Sequence, residues 1–259
     1  MSFVLLSLLI ITALNLAGFA FGYFAQSDKA TDILYSLSFV IATAVMVWMC
    51  GKTNGQMTTV QWIGAGMVFI WAFRLGSYLF TRIHKIGKDD RFDDMRPSPI
   101  RLFGFWFIQI VTVWIVLFPI SALLEKPSQQ EWLTPIQIIA LAVWLIGLVM
   151  ETVADRQKFD FRNDSKNKGQ FMNEGLWKSI RHPNYTGEIL CWWAVFAFCL
   201  PALGVAGIWT ILSPLWLTLM LVFVSGIPLL EKSAEKRYGH LEAYQQWLKT
   251  SKRLFPGIW

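Results

Sequence analysis

Residues 155 to 188 read DRQKFDFRNDSKNKGQFMNEGLWKSIRHPNYTGE and form the longest polar stretch of an otherwise apolar chain. The cationic residues of this stretch are Arg156, Lys158, Arg162, Lys166, Lys168, Lys178 and Arg181. Cations beside a membrane can bind anionic lipid headgroups. Headgroup binding does not need the other polar and aromatic residues of the stretch, which include Trp177, His182, Asn184, Tyr185 and Glu188. The mixture predicts a site for a large polyanionic ligand that contains rings, such as a nucleotide cofactor.

The composition places the chain among membrane proteins. It has 259 residues, of which 55% are hydrophobic, and a mean hydropathy of +0.45. A helix needs about 20 apolar residues to cross a hydrocarbon core of about 30 Å. Apolar runs of this kind occupy residues 3–25, 32–50, 60–81, 102–124, 133–154, 185–200 and 208–230. The sequence therefore predicts an all-α polytopic membrane protein, a single domain over residues 1–259 that is built as a bundle of seven transmembrane helices.

Lysine and arginine are concentrated in the segments that follow the third, fifth and seventh predicted spans. The segments after spans two and four contain only Lys52 and Lys126. The positive-inside rule therefore places the N-terminus outside and the C-terminus in the cytoplasm, with the three cationic segments on the cytoplasmic side. Because this topology accounts for the net charge of +6, no nucleic-acid partner is expected.

The sequence contains none of the common metal or nucleotide motifs. Cys50, Cys191 and Cys199 lie in or beside apolar runs and form no CxxC pair, so we expect inert thiols rather than a disulfide framework or a zinc site. HExxH, Walker and GxGxxG patterns do not occur. We expect no metal site and no Rossmann domain, and any nucleotide must be held by the helices and loops themselves.

Two pairs of residues with helical spacing are candidates for ligand binding. Asn184 and Glu188 are four residues apart at the start of span six and share a face. A carboxylate that enters the membrane is costly, so it faces the protein interior. The pair either hydrogen-bonds a carboxamide-bearing ring, or Glu188 pairs with a nearby cation. Lys158 and Arg162 have the same spacing and suit phosphate groups, and Trp177 either stacks on a ring or anchors at the interface.

Ionisable residues also lie within or at the ends of other spans. Glu151 and Asp155 end span five and act either as ligand-binding groups or as counter-charges for neighbouring cations. Arg74 lies inside span three, where an isolated guanidinium is unfavourable by a few kcal/mol. Asp32 is a candidate partner for Arg74. This pair is either structural or orients a tyrosine hydroxyl as a proton donor, for which the candidates are Tyr35 and Tyr78.

The segment GLWKSIRHPNYTGE (Gly175 to Glu188) follows DRQKFDFRND and precedes KRYGHLEAYQQW and a terminal RLFPGIW. Together they resemble the steroid 5-alpha-reductase C-terminal family, and above all its bacterial branch, the DUF1295 group. Elements of the form RHxNYxG(D/E) and QKxxFR also occur in the sterol C14 and Δ7 reductases. The resemblance is strong over the C-terminal half, and the loop DRFDDMR (Asp90 to Arg96) extends it weakly into the N-terminal half.

The resemblance implies a seven-helix bundle in a bacterial inner membrane that binds NADPH from the cytosolic side and reduces an activated C=C bond in a lipophilic substrate. Residues 125–259 would then bind the cofactor and residues 1–124 the substrate. The implied cofactor contacts are Arg91, Asp155, Gln157, Lys158, Arg162, Asn163, Trp177, Arg181, His182, Asn184, Tyr185, Glu188, Glu231, Tyr238 and Tyr244. Asn184 and Glu188 would hold the nicotinamide, whereas Glu231, Tyr238 and Tyr244 would close over the adenine or ribose.

The resemblance does not indicate which residues of this chain would act on the substrate. The steroid 5-alpha-reductases use a Glu and a Tyr on N-terminal helices to polarise the substrate ketone, but the first three spans here contain no Glu. Substitutes on spans two and three are Asp32, Tyr35, Arg74 and Tyr78. They would stabilise the enolate that forms when hydride adds to an enone of a steroid-like or terpenoid substrate.

Two other functions are consistent with the same sequence. RHPxYxG and LLEKSAEKRYG also resemble the isoprenylcysteine and phospholipid methyltransferases, which bind S-adenosylmethionine. That cofactor carries no phosphate, so it has little use for Lys158 and Arg162, whose charges suit a 2′-phosphorylated dinucleotide. The third function is a non-enzymatic membrane protein that binds only lipids. Membrane lipids and a lipophilic small molecule are the expected partners, and the sequence leaves the substrate and the oligomeric state open.

Overall fold

The computed structural model of the chain describes residues 1–26, 29–86, 95, 97–127 and 130–255. Its α-helices are α1 (Phe3–Ala25), α2 (Lys29–Asn54), α3 (Thr59–Ile86), α4 (Pro99–Val116), α5 (Phe118–Glu125), α6 (Pro135–Asn163), α7 (Pro183–Leu203), α8 (Leu212–Leu219), α9 (Ile227–Tyr238) and α10 (Glu242–Thr250). Short 3-10 helices occupy Ser165–Asn167, Gly175–Lys178 and Val205–Ile211, and Met220–Val224 is a π-helical turn. Within these ranges there is no strand, so the predicted all-α class is confirmed.

The chain is a multi-pass integral membrane protein. Seven helical segments of the described chain are long and apolar enough to cross a bilayer, as predicted. They are Phe3–Ala25, Thr31–Asn54, Thr59–Lys85, Pro99–Val116, Pro135–Asn163, Pro183–Leu203 and Val205–Tyr238. Large apolar side chains such as Phe73, Ile139 and Phe223 are exposed on these segments. Such side chains suit hydrocarbon, while the helices satisfy their own backbone polar groups.

Two predicted spans are not continuous helices. The fourth, expected over residues 102–124, ends as α4 at Val116 and restarts as α5, which has Pro119 in its first turn. Proline has no N–H to donate and its ring clashes with the preceding turn, so the helix breaks there. The seventh passes through the π-helical turn and is interrupted at Gly226, with Pro228 in the first turn of α9. A proline in the first turn therefore marks both places where a helix begins again, at α5 and at α9.

The chain divides into two compact units. Unit 1 contains Met1–Ala140 and Val195–Ser213, and unit 2 contains Leu141–Ala194 and Pro214–Trp259. The single domain predicted from the sequence, with its division at residue 124, stays a prediction.

Unit 1 has a polar network in the middle of its apolar helices. Asn15 on α1 donates to the Ser38 hydroxyl on α2 at 3.0 Å and accepts from the Gln109 amide on α4 at 2.8 Å. All three side chains are buried. Because lipid offers no hydrogen-bond partners, such contacts fix the register of three helices that are otherwise apolar.

Helix ends in unit 1 are joined by side chains that bind backbone carbonyl groups. Lys126 donates to the carbonyl oxygens of Ala202 and Leu203 at 3.1 and 3.2 Å, at the C-terminal end of α7. A cation is favourable there because the last carbonyls of a helix carry partial negative charge. Gln137 donates to the Phe198 carbonyl oxygen at 3.1 Å.

Unit 2 contains a close crossing of α6 and α7. A Cβ added to Gly147 would lie 2.7 Å from the Gly187 carbonyl oxygen, and a Cβ on Gly187 would lie 2.6 Å from the Gly147 carbonyl oxygen. These neighbours are backbone atoms, which cannot move aside as a flexible side chain can. Small residues permit such approaches between membrane helices. The crossing fixes the start of α7 against α6.

We expect Gly187→Ala to destabilise the protein by about 1–3 kcal/mol, the usual cost of overpacking. The measurement is the midpoint of thermal unfolding in detergent. Gly104→Ala on α4 is the matched control, since a Cβ there meets nothing within 4 Å. An equal response of both variants would contradict the backbone contact seen at Gly187.

Candidate functional site

Unit 2 contains a pocket of about 830 Å³, formed by the end of α6, the segment before α7, and helices α9 and α10. This volume includes space that is open to solvent. The cationic residues that line it are Lys158, Arg162, Arg181 and Arg237. Its aromatic residues include Phe171, Trp177, Tyr238, Tyr244 and Trp247. His182 and Glu231 also line it. The pocket therefore combines positive charge with flat apolar walls.

The last turns of α6 present two of the cations. Lys158 and Arg162 are one helical turn apart and both line the pocket. The helix ends just beyond them, where Asn163 donates to the Phe159 carbonyl oxygen at 2.7 Å. The Asp164 side chain then accepts from the Lys166 N–H at 2.9 Å and starts the next 3-10 turn. Asn163 thus serves the helix end rather than the pocket.

Gln157 and Gly175 attach the segment before α7 to α6. The Leu176 N–H donates to Gln157 Oε1 at 3.0 Å. Gly175 has φ of +55° and lies so close to the Gln157 amide that a Cβ would overlap it. Both requirements favour glycine. Gln157 therefore has a structural role, since it holds the segment before α7 against α6.

Trp177 anchors the same segment. Its indole N–H donates to the Ala154 carbonyl oxygen at 3.0 Å, and its own carbonyl accepts from the Trp247 indole at 3.0 Å. The side chain is only 3% exposed, and Lys158 Nζ lies 4.3 Å from the centroid of its ring. Trp177 is thus a buried residue that lines the pocket and positions Lys158 by a cation–π contact. Its stacking on a ligand ring stays a prediction.

Glu231 on α9 is shared by several positive groups. Arg181 Nη1 lies 2.8 Å from its Oε1, and Arg253 Nη2 lies 3.0 Å from its Oε2. His182 Nε2 lies 3.5 Å from Oε1, at the outer limit of hydrogen bonding. A carboxylate that accepts two charge-assisted bonds is fixed more firmly than one in a single exposed pair. Glu231 therefore joins the segment before α7, through Arg181, to the tail, through Arg253.

Residues 251–255, here called the strap, run beside the segment before α7. The Arg181 N–H donates to the Lys252 carbonyl oxygen at 2.7 Å, and the His182 N–H donates to the Arg253 carbonyl oxygen at 3.1 Å. The Thr186 hydroxyl donates to the Leu254 carbonyl oxygen at 2.9 Å. Leu254 is buried in an apolar cluster with Ile189, Val222 and Ile227. Arg181 and His182 line the pocket and are here called its floor. The strap therefore supports the pocket floor through backbone hydrogen bonds.

Four aromatic rings form one wall of the pocket. Phe171 lies 5.2 Å from Tyr244, 5.5 Å from Trp247 and 6.1 Å from Tyr238, measured between ring centroids. Such separations are typical of interacting aromatic pairs. Burial raises the pKa of the Tyr244 hydroxyl, so Tyr244 is protonated at neutral pH. The wall can pack against a flat ring and offers that hydroxyl as a hydrogen-bond donor.

Several buried polar atoms at the pocket floor have no hydrogen-bond partner among the described residues. These are both ring nitrogens of His182 and Nε of Arg181. His182 is 6% exposed, and burial lowers its pKa, an effect that Glu231 partly offsets. Buried polar groups are normally satisfied. A polar ligand in the pocket would supply the missing partners.

The other predicted cofactor residues are not among those that line this pocket. Asn184 Oδ1 is buried at the start of α7 with no hydrogen-bond partner in the described chain, and Glu188 is half-buried one turn later. Tyr185 stacks on His182 with centroids 5.8 Å apart. Asp155 is buried on α6. Arg91 lies outside the described residues.

In unit 1, the predicted catalytic residues are arranged differently from the expected Asp32–Arg74 pair. Asp32 accepts from Arg82 Nη2 at 2.8 Å, two turns beyond Arg74 on α3. Arg74 lies 5.9 Å from the ring centroid of Tyr78, consistent with their predicted common face. Tyr35 packs edge-to-face with Phe39 at 5.3 Å.

The sequence reasoning missed four residues that shape the site: Phe171, Arg237, Trp247 and Arg253. Phe171 is the one aromatic residue between positions 162 and 176. An isolated aromatic residue in this polar stretch could have indicated a residue of the site. Arg237 precedes the predicted Tyr238 and is one of several tail cations. No local pattern indicated that Arg253 binds Glu231.

Stability should depend on pH through His182. Because its pKa is lowered in the folded state, the unfolded chain binds a proton first as the pH falls below the ordinary histidine value. Stability is therefore retained above that value and lost as the pH falls toward the folded-state pKa. We expect His182→Gln to reduce the loss measured by thermal unfolding between pH 7 and about 5.5.

His240→Gln removes an exposed histidine of the tail and is the control for this measurement. An unchanged acid dependence in His182→Gln would contradict its assignment to His182.

An uncharacterized protein of Schizosaccharomyces pombe is 30% identical to this chain over 138 residues, which are 46% of this chain and 39% of the relative. The chain thus matches about two fifths of that protein's length. No solved structure gives a significant match. A family model described as "Protein of unknown function (DUF1295)" matches residues 18–251. This match confirms the predicted DUF1295 relationship, whereas the link to the steroid 5-alpha-reductases stays a prediction. Since the model spans nearly all of the sequence, the chain belongs to the DUF1295 family.

Proposed function

We propose that this protein is a membrane-embedded reductase that uses NADPH to reduce an activated C=C bond of a lipophilic substrate. The observation that carries the proposal is the pocket of unit 2, where four cations and an aromatic wall occur together with a buried histidine ring whose nitrogens have no hydrogen-bond partner among the described residues. The resemblance of GLWKSIRHPNYTGE and DRQKFDFRND to the steroid 5-alpha-reductase family supports the same conclusion.

The charges of the pocket favour a phosphate-bearing ligand. Lys158, Arg162, Arg181 and Arg237 line it, and the acidic residue among its lining residues is Glu231, which already binds Arg181 and Arg253. Arginine binds phosphate oxygens through a planar fork of N–H donors. S-adenosylmethionine carries a sulfonium cation and no phosphate, so the same charges would repel it. The pocket thus favours the reductase over the methyltransferase.

The remaining pocket groups suit the other parts of a dinucleotide. The wall of Phe171, Tyr238, Tyr244 and Trp247 would pack against a flat base. The His182 ring and Arg181 Nε would gain hydrogen-bond partners, which the described part of the chain does not supply. The residues present therefore fit NADPH.

Asn184 and Glu188 are proposed to hold a carboxamide at the start of α7. A carboxamide offers both a donor and an acceptor. The Asn184 carbonyl oxygen is buried without a described partner and would accept from the carboxamide NH₂ group. Glu188, one turn later on the same face, would accept a second hydrogen bond. These residues orient the ring and exclude water from it.

When bound, NADPH supplies the hydride for the reaction. The protein must then hold the substrate and provide a proton at the carbon or oxygen that gains negative charge. The candidates for this role remain those that the sequence suggests, the hydroxyl groups of Tyr35 and Tyr78, with Asp32 and Arg74 as the charged residues of the same helices. Steroid-like and terpenoid enones are suitable substrates, because their bodies are apolar and would enter from the membrane. The positive-inside rule places the cofactor side in the cytoplasm.

NADPH should raise the thermal unfolding midpoint of the purified protein in detergent more than NADH does, and S-adenosylmethionine should have little effect. A ligand at 100 times its Kd stabilises the folded state by about 2.7 kcal/mol. Arg237→Ala should reduce the response, since Arg237 lines the pocket. The matched control is Lys236→Ala, which removes the neighbouring exposed cation. A response to S-adenosylmethionine alone would favour the methyltransferase.

Activity can be tested directly in proteoliposomes. We expect NADPH absorbance to fall when a lipophilic enone is added, but not when the corresponding saturated ketone is added. Arg162→Ala should raise the NADPH concentration needed for half-maximal rate about tenfold, the loss expected for one charge-assisted bond of about 1.4 kcal/mol. An unchanged half-maximal NADPH concentration in Arg162→Ala would contradict this assignment of the pocket.

A further inference from the structure

We infer that Arg253 is a positioning residue of the pocket: by binding one oxygen of Glu231, it leaves Arg181 with positive charge to offer a phosphate group. This inference rests on the proposed function, because it assumes that the pocket takes a phosphate-bearing ligand.

The geometry separates the two guanidinium groups. Arg181 Nη1 lies 2.8 Å from Glu231 Oε1, whereas Arg253 Nη2 lies 3.0 Å from Oε2. Arg181 and Glu231 line the pocket, but Arg253 is not among its lining residues. Arg253 therefore acts on the pocket through the carboxylate and not by touching a ligand there.

The charge of this cluster depends on Arg253. Glu231 with Arg181 alone is a neutral pair, which attracts an anion weakly. With Arg253 bound to the second oxygen, the three groups carry a net charge of plus one. His182 adds little charge at neutral pH, since burial lowers its pKa. The surplus charge lies at the pocket, where partial burial weakens screening by water and salt.

The backbone around Arg253 is held independently of its side chain. Its carbonyl oxygen accepts from the His182 N–H at 3.1 Å, and the Thr186 hydroxyl donates to the Leu254 carbonyl oxygen at 2.9 Å. The Leu254 side chain is buried, while the Arg253 side chain is 39% exposed. A substitution of Arg253 should therefore change the charge of the cluster and leave the strap in place.

The test measures the affinity of the full chain in detergent for NADPH and for inorganic pyrophosphate at several salt concentrations. We expect Arg253→Gln to weaken both by about five- to tenfold at low salt, with a smaller loss at high salt, because one nearby charge is removed. Arg253→Lys should restore most of the affinity. Lys249→Gln, which removes an exposed cation of α10, should bind like the wild type.

A double variant distinguishes charge sharing from a structural role. In the Glu231→Gln background, Arg253→Gln should cost less affinity than in the wild type, because the carboxylate that holds the Arg253 side chain beside the pocket is gone. An equal loss in both backgrounds would overturn the inference, and so would wild-type affinity in Arg253→Gln. Absence of NADPH and pyrophosphate binding in the wild type would instead overturn the proposed function. Thermal unfolding without ligand identifies any variant that fails to fold.

Discussion

Glu231 joins three segments of unit 2 that are far apart in the chain. Its carboxylate binds Arg181 before α7 and Arg253 in the strap, and it lies beside the buried ring of His182. Removing one partner from such a cluster leaves charge that neither water nor protein fully compensates, so the cluster selects one arrangement of the segments. The pocket floor, the strap and the end of the last span consequently behave as one structural element.

This arrangement gives a physical basis for assigning chemistry to a family described only as having unknown function. Fold alone does not indicate activity, since one bundle can carry many sites. What narrows the choice is the combination within unit 2: cations on α6 and α9, four clustered rings, and polar atoms at the floor that need partners. Lipid headgroups would use the cations but not the rings or the buried histidine. A dinucleotide would use all three.

Local patterns in the sequence predicted the membrane spans and the residues that share one face of a helix. Hydropathy gave the seven spans, and the spacing of Lys158 and Arg162 placed both of them in the pocket. Contacts between distant segments were not predictable, because periodicity does not specify partners. Asp32 was a candidate partner for Arg74 but binds Arg82. Arg253 begins the terminal segment RLFPGIW, but nothing in that segment indicated that it binds Glu231. Trp177 was recognised and lines the pocket, but the hydrogen bond of its indole to the Ala154 carbonyl oxygen was not predictable.

The strap has a consequence for proteolysis. Residues 251–255 complete the floor that Arg181 and His182 form some seventy positions earlier. A cut just before Ser251 would therefore remove hydrogen bonds from this floor without removing any residue that lines the pocket.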